Sequence, residues 1–264
     1  MLEQVVNRAK NFRYHSFQQL VPSEPIKVFE GDEYILVAER ERDRIKLFWA
    51  VNAIESLPEV LEQSAKDLAA GELIVEFIPP EFINSLEKAG LRVSSEWIDF
   101  WLKDLPGKRW DYPLTVEIRR IKAAETGLAA AVTRSCAGMS RQFFGEGEAG
   151  IIEWLNQQEQ QVFVAIKNEE IVGTCMIGTY QGKLGKVVWL RLLAVHPDQQ
   201  GQGIGRSLAK VGLEWGQQQG CTVSFLATDT ENFPAIHLYE KLGYQRQEGR
   251  GQINMIYKIK KKQS

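Results

Sequence analysis

The sequence predicts an α/β protein with mixed sheets, organised as two tandem domains, and three observations predict it. Short apolar strands alternate with amphipathic helices along the chain. At Leu192–Leu208 an apolar strand runs into a glycine-rich loop and then a helix. The order strand–helix–strand–helix–strand occurs in both halves. A chain of 264 residues exceeds one ordinary compact domain, and 44% hydrophobic with 25% charged residues is an ordinary globular composition. No apolar run approaches the roughly 18 residues of a membrane span, and the opening residues lack a secretory apolar core. Cys136, Cys175 and Cys221 are widely spaced, odd in number and set in apolar stretches, which suits reduced core thiols and a cytoplasmic protein. His15, His196 and His237 sit near no cysteine and no other histidine, so no metal is expected. A net charge of −2 argues against a nucleic-acid partner.

The loop is the strongest chemical signal. Gly201, Gly203 and Gly205 let the backbone come close to a ligand, and the helix that follows brings its positive dipole end and free amide donors to the same place. The expected ligand is a phosphate or pyrophosphate. A dinucleotide fingerprint fails, because its third glycine would be Arg206 and no acidic residue follows at the required distance. A nucleotide-triphosphate loop fails for want of a Gly-Lys-Ser/Thr triplet. What fits is Q/R-x-x-G-x-G/A, as Gln200-Gly201-Gln202-Gly203-Ile204-Gly205. Downstream come the strand Cys221–Ala227 and the segment Asn232-Phe233-Pro234-Ala235-Ile236-His237-Leu238-Tyr239-Glu240-Lys241-Leu242-Gly243-Tyr244. Pro234 suits a first helical turn, Gly243 a C-terminal cap, and Ala235, Ile236, Tyr239 and Leu242 one apolar face.

Loop, strand and N-x-x-A-x-x-x-Y-x-K-x-G-F/Y segment, in that order, resemble the GNAT N-acetyltransferases. The resemblance implies acetyl-CoA (coenzyme A) as cosubstrate and a small-molecule or peptide amine as acceptor. It makes Gln200, Gly201, Gln202, Gly203, Ile204, Gly205, Arg206 and Ser207 the pyrophosphate site. Leu193 and Val195 on the strand Val187–Val195 would offer backbone groups to the pantetheine arm, and Asn232 would help fix the cofactor or a water. Tyr239 would be the general acid, since a phenol is protonated at neutral pH and can give its proton to a departing thiolate.

The general base is not legible. The fourth strand carries no carboxylate, and Asp229, Glu231, Glu146, Glu148 and Glu153 are candidates for which surface solvation is the default. A non-catalytic acyl-CoA-binding sensor or structural module, and a nucleotide binder sharing only the loop, are the competing readings. A homodimer is compatible with the sequence.

The second half reads in order as strand Leu114–Ile121, helix Ala123–Cys136, a Gly/Glu segment at 145–150 and helix Ile151–Gln158. Strands Gln161–Lys167 and Glu170–Thr179 follow around an Asn168-Glu169 turn, and a turn at 181–185 leads to the fourth strand. Helix Ile204–Gln219 comes next, and Gln252–Ile259 should close the sheet before a basic tail, Lys258–Ser264. The first half repeats part of this order. Ala50-Val51 answers Ala194-Val195 after the strand Ile45–Trp49, and Phe82–Leu91 matches Ala235–Tyr244 without a gap, Glu-Lys-x-Gly being identical. Helix Leu57–Ala69 and strand Glu72–Ile78 lie between, and Trp97–Leu102 ends the order.

The first copy lacks the chemistry, with Ser56–Leu61 in place of the glycine loop and Leu86 in place of Tyr239. The expected boundary is therefore a degenerate GNAT-like domain at 1–110 and a motif-complete one at 111–264, joined through Leu105–Pro113. A degenerate copy joined to an active one is an arrangement found in this superfamily. The halves carry 14 Lys+Arg against 19 Asp+Glu and 18 against 15, so −5 and +3, and the positive half is the one expected to bind an anion. The first domain is expected to narrow one wall of a substrate cleft where the fourth and fifth strands splay.

Overall fold

The computed structural model describes residues 2–17, 21–41, 44–68, 71–111, 113–114, 116–183 and 185–259. Ala69, Tyr112, Thr115, Leu184 and the tail from 260, all within stretches read above, lie outside the described residues. The chain begins with α1 (Leu2–Ala9), β1 (Tyr14–His15), β2 (Pro25–Glu30), β3 (Tyr34–Glu41) and β4 (Arg44–Val51). Then come α2 (Leu57–Ala65), β5 (Glu72–Val75), α3 (Ile83–Lys88) and β6 (Leu91–Leu102). After β7 (Glu117–Arg120) follow α4 (Thr126–Ser135), α5 (Glu148–Leu155), β8 (Gln160–Lys167), β9 (Glu170–Gly182) and β10 (Gly185–Val195). Helix α6 (Ile204–Gln218), β11 (Val223–Asp229), α7 (Phe233–Leu242), β12 (Gln245–Arg246) and β13 (Ile253–Lys258) complete it. Every helix and strand expected of the motif-bearing half is present, with ends shifted by a few residues. Helix α5 starts at Glu148 rather than Ile151, because the extended Gly147 (φ −81°, ψ 161°) already serves as its N-cap.

Two compact units are formed, and their limits differ from the expected ones. One comprises residues 1–97 and 250–264, the other 98–249, so the division falls inside β6 rather than at 110/111. The physical reason is strand pairing. The last strand was expected to close the sheet of the second half. Instead β13 pairs antiparallel with β5 (Met255↔Val75) and with the first part of β6 (Met255↔Val93), inside the first unit. The second part of β6 lies beside β11, and Trp101 and Phe100 pair with β12.

In the first unit the sheet runs β2-β3-β4-β5-β13-β6, with β1 beside β4. Alternation along β4 sends Ile45, Leu47, Trp49 and Val51 into the core with Leu57, Leu61 and Leu86 of α2 and α3, and Phe48 and Ala50 into a second core with Val6, Ala9 and Phe17. Among the described residues the parallel β4/β5 pairing has three rungs, Ile45–Leu47 with Leu73–Val75. Past them Trp49 is fully buried and its indole N–H donates to the Glu76 carbonyl at 2.7 Å, so an aromatic side chain bridges the two strands where the ladder stops.

In the second unit the order is β6-β11-β10-β9-β8-β7. One face buries Cys175, Ile177, Val188, Leu190 and Phe100 against Leu208, Leu213 and Leu242 of α6 and α7. The other buries Val162, Met176, Leu192 and Ala194 against Ala129, Ala130, Ile151 and Trp154 of α4 and α5. Helix α6 lies very close to the sheet. A β-carbon added at Gly216 would stand 2.8 Å from Val188 Cβ, and one at Gly212 2.9 Å from Ile177 Cδ1. Among the described residues no helix is long and apolar enough to cross a membrane.

The Gly216 contact is testable. Val188 Cβ is fixed to the strand backbone, so Gly216→Ala must lift α6, and overpacking of this kind costs about 1–3 kcal/mol. The variant should show a lower denaturant midpoint at unchanged slope. A wild-type midpoint would mean that α6 has room to spare at this position.

Candidate active site

The site begins with a strand pair that ends early. Val187–Trp189 of β10 pair in parallel with Val223–Phe225 of β11, and among the described residues no further rung joins them although β10 runs on to Val195. On its other edge β10 stays paired with β9 as far as Val195↔Gly173. One extra residue, Arg191, sits between the rungs Leu190↔Ile177 and Leu192↔Met176. Such a bulge adds twist and bends the strand that carries it, here β10 where it leaves β11. A gap with a polar backbone edge is the result.

Backbone direction at that edge follows from one hydrogen bond. The His196 N–H donates to the Val172 carbonyl at 2.9 Å, so the carbonyl of Val195, in the same peptide, turns away from β9. It accepts there from Gln200 Nε2 at 2.9 Å and from the Cys136 thiol at 3.2 Å. Gln200 thus ties the loop to the strand, and one backbone group expected at the pantetheine arm already has internal partners. Leu193 and Val195 turn their side chains to the α6 face. A β-carbon on Gly205 would stand 3.7 Å from Val195 Cγ2, 4.0 Å from Leu193 Cδ2 and 3.6 Å from Leu238 Cδ2.

After a single 3₁₀ turn (Pro197–Gln199) the loop reaches Gly201 and Gly203, at φ +74° and +79°, where only glycine is unstrained. Helix α6 starts at Ile204 with no side-chain cap, so its first-turn amides present an anion site. Ile204 and Ser207 are buried, while Gln202 and Arg206 are exposed. Lys167, at the end of β8, donates to Gln199 Oε1 at 2.8 Å and Gln202 Oε1 at 2.6 Å, placing an ammonium on the loop. Strands β8 and β10 run in the same direction on either side of β9, so both end at the same edge of the sheet; that topology is the signal by which Lys167 could have been found.

Tyr239 projects from α7 into the α6-side core, 7% exposed, with ring centroids 6.2 Å from Phe100 and 6.0 Å from Tyr244. No hydrogen bond to its hydroxyl is found among the described residues, whereas the Tyr244 hydroxyl shares one with Ser224 at 2.6 Å. Burial, with a smaller contribution from Cys175, pushes the Tyr239 phenol well above its usual range. Asn232 sits at the start of α7, its side-chain oxygen accepting from the Ala235 N–H at 3.4 Å, so the structure uses it as a helix cap.

The candidate bases are mostly engaged. Asp229, fully buried at the end of β11, accepts from Arg141 Nε at 3.0 and 3.1 Å; Arg141 also reaches Thr230 Oγ1 at 2.8 Å and Glu231 Oε1 at 2.9 Å. Arg141 carries no sequence signal, because it lies in an irregular segment between two helices. Glu146 pairs with Arg191 at 2.7 Å, and that guanidinium lies 5.0 Å over the Trp154 ring. Glu148 accepts from Thr126 at 2.9 Å, and Glu153 is exposed. The structure therefore brings Leu193, Val195, Gln200, the loop glycines and the start of α6 together, with α7 and Tyr239 in the same core. It places Glu146 and Glu148 in pairings of their own.

Comparison with known proteins bears on this arrangement. The model of the acetyltransferase (GNAT) family matches residues 133–244. Mycothiol acetyltransferase of Streptomyces bingchenggensis is 36% identical over 87 residues, 33% of this chain and 27% of that protein. Mycothiol acetyltransferase of Kocuria rhizophila is 41% identical over 54 residues, 20% and 18% of the two chains. The matched parts span less than a third of the length of these relatives. Among solved structures, a GCN5-related N-acetyltransferase from Sphaerobacter thermophilus superposes with a TM-score of 0.61 at 17% identity, over 88% of this chain and 82% of that one. One from Kribbella flavida gives 0.58 at 15% identity, over 96% and 95%. At such identities these likenesses speak for the fold, and they extend over both units. Residues 133–244 belong to the acetyltransferase (GNAT) family, and the chain as a whole is built on its fold.

Proposed function

We propose that the second unit is an acetyl-CoA-dependent N-acetyltransferase that moves the acetyl group directly to a primary amine in a ternary complex. The observation that carries this reading is the three-rung end of the β10/β11 ladder, which opens onto the uncapped start of α6. A thioester on a long, thin arm with a diphosphate at its far end matches such a gap and such an anion site in shape and charge. Gly201–Ser207 would hold the pyrophosphate, with Gln200 keeping the loop on the strand and the Lys167 ammonium adding positive charge. Leu193 and Val195 would orient the arm along β10, and Asn232 would keep α7 beside it. When bound, acetyl-CoA supplies an acyl group already activated as a thioester. The relatives' printed names, mycothiol acetyltransferase, support acetyl transfer without fixing the acceptor here.

Tyr239 would give its proton to the departing sulfur. A phenol raised above its usual range is neutral at every physiological pH, so it is always in the donating form. It is also a weaker acid than a free phenol, which requires the sulfur to be desolvated as well when the proton moves. Asp229, with both oxygens on Arg141, holds the α4–α5 segment to the end of β11 rather than accepting a proton.

Calorimetric titration tests the binding half. Acetyl-CoA should bind the wild type, ADP should bind far more weakly, and Gly203→Trp should abolish acetyl-CoA binding, since φ +79° strains any side chain there and the indole would stand over the first-turn amides of α6. A folded wild type that ignores acetyl-CoA ends the reading. For the chemical half, Tyr239→Phe should lower kcat by about 10²–10⁴-fold while the acetyl-CoA dissociation constant stays unchanged. An unchanged kcat would remove Tyr239 from the proton path.

A further inference from the structure

The α4–α5 face of the second sheet carries a row of aromatic side chains that neither the loop nor Tyr239 uses. On β6, Ile98, Phe100 and Leu102 enter the α6-side core, so by alternation Asp99 and Trp101 lie on the opposite face. The Trp101 ring is 4.8 Å from that of Phe225 on β11. Phe225 shares the last β10/β11 rung with Trp189, whose ring is 5.8 Å from Trp154 of α5. The row thus crosses three neighbouring strands at the level where the gap begins. Trp101, Phe225, Trp189 and Asp99 are all half-buried rather than sealed.

A carboxylate stands at one end. Burial pushes the Asp99 carboxyl above its usual range, and its charge adds to the burial that raises the Tyr180 hydroxyl. Among the described residues no lysine or arginine pairs with Asp99, and Glu146 at the far end is neutralised by Arg191. A desolvated carboxylate without a cation, beside the flat faces of aromatic rings, is a receptor for an ammonium group attached to an apolar body.

We propose that this row seats the acceptor, and that the acceptor is an alkyl- or arylalkylamine whose ammonium meets Asp99 while its body lies on Trp101, Phe225 and Trp189. The inference rests on the acetyl-transfer reading for what happens next, but the amine site itself stands on the geometry of one sheet face. Asp99 is a binding residue here, and the rings set specificity by shape.

Saturation-transfer NMR on the full chain tests it, with phenethylammonium, hexylammonium and glucosamine as probes. The first two should bind and glucosamine should not. Asp99→Asn should weaken phenethylammonium by about tenfold or more, the loss of one favourable charge contact. Trp101→Leu should weaken it too, and neither variant should change the acetyl-CoA titration. In turnover with phenethylamine the Asp99 variant should raise KM far more than it lowers kcat. The inference is overturned by failure of phenethylammonium to bind, by equal binding to wild type and both variants, or by preference for glucosamine. Failure of acetyl-CoA to bind while the amine still binds through Asp99 overturns the acetyl-transfer reading instead.

Discussion

Everything at the site depends on how far two parallel strands stay together. Between β10 and β11 the ladder lasts three rungs, and a backbone edge freed so early must find other partners or be left for a ligand. The bulge at Arg191 and the Gln200 and Cys136 bonds to Val195 are local answers to that demand. The closeness of α6 is a second consequence. Gly212 and Gly216 let the helix press on Ile177 and Val188, so its N-terminus is held at the end of β10 by packing rather than by a cap. Arg141 completes the frame by fixing the α4–α5 segment to the last residue of β11.

The first unit closes the end of a comparable strand pair with a side chain. Its parallel ladder also has three rungs, but Trp49 crosses the opening and bonds to the Glu76 carbonyl, so the polar edge is satisfied internally. The corresponding loop has no glycine and contains Pro58, which lacks an amide donor. Two copies of one architecture therefore end in a filled opening and an open one. The difference lies in a few side chains at the end of a short ladder.

How much of this was legible in the sequence follows the range of the interactions. The glycine loop, the cap at Gly243 and the helical face around Tyr239 are local patterns, readable because φ and periodicity are set within a turn or two. The expected sheet closure by 252–259 misplaced β13, because an apolar strand carries no mark of which neighbour it will pair with. Likewise β1, β2 and β3 gave no clear sign, and Ile35–Ala38, buried on both faces, reads as a bare apolar run. Arg141, Asp99 and the aromatic row are joined only through the third dimension. Their residue types alone say nothing about their company.

The placement of β13 also orders events during synthesis. The first unit needs β13 (Ile253–Lys258), whereas the second is complete once residue 249 is made. A chain leaving the ribosome therefore holds the edge of β5 without its neighbour through the making of the whole second unit, an interval in which an unpaired edge invites wrong pairings. The unit that begins first is finished last. Its final strand must close a loop of more than 150 residues, counted from Trp97 to Arg250, and such distant pairings form slowly.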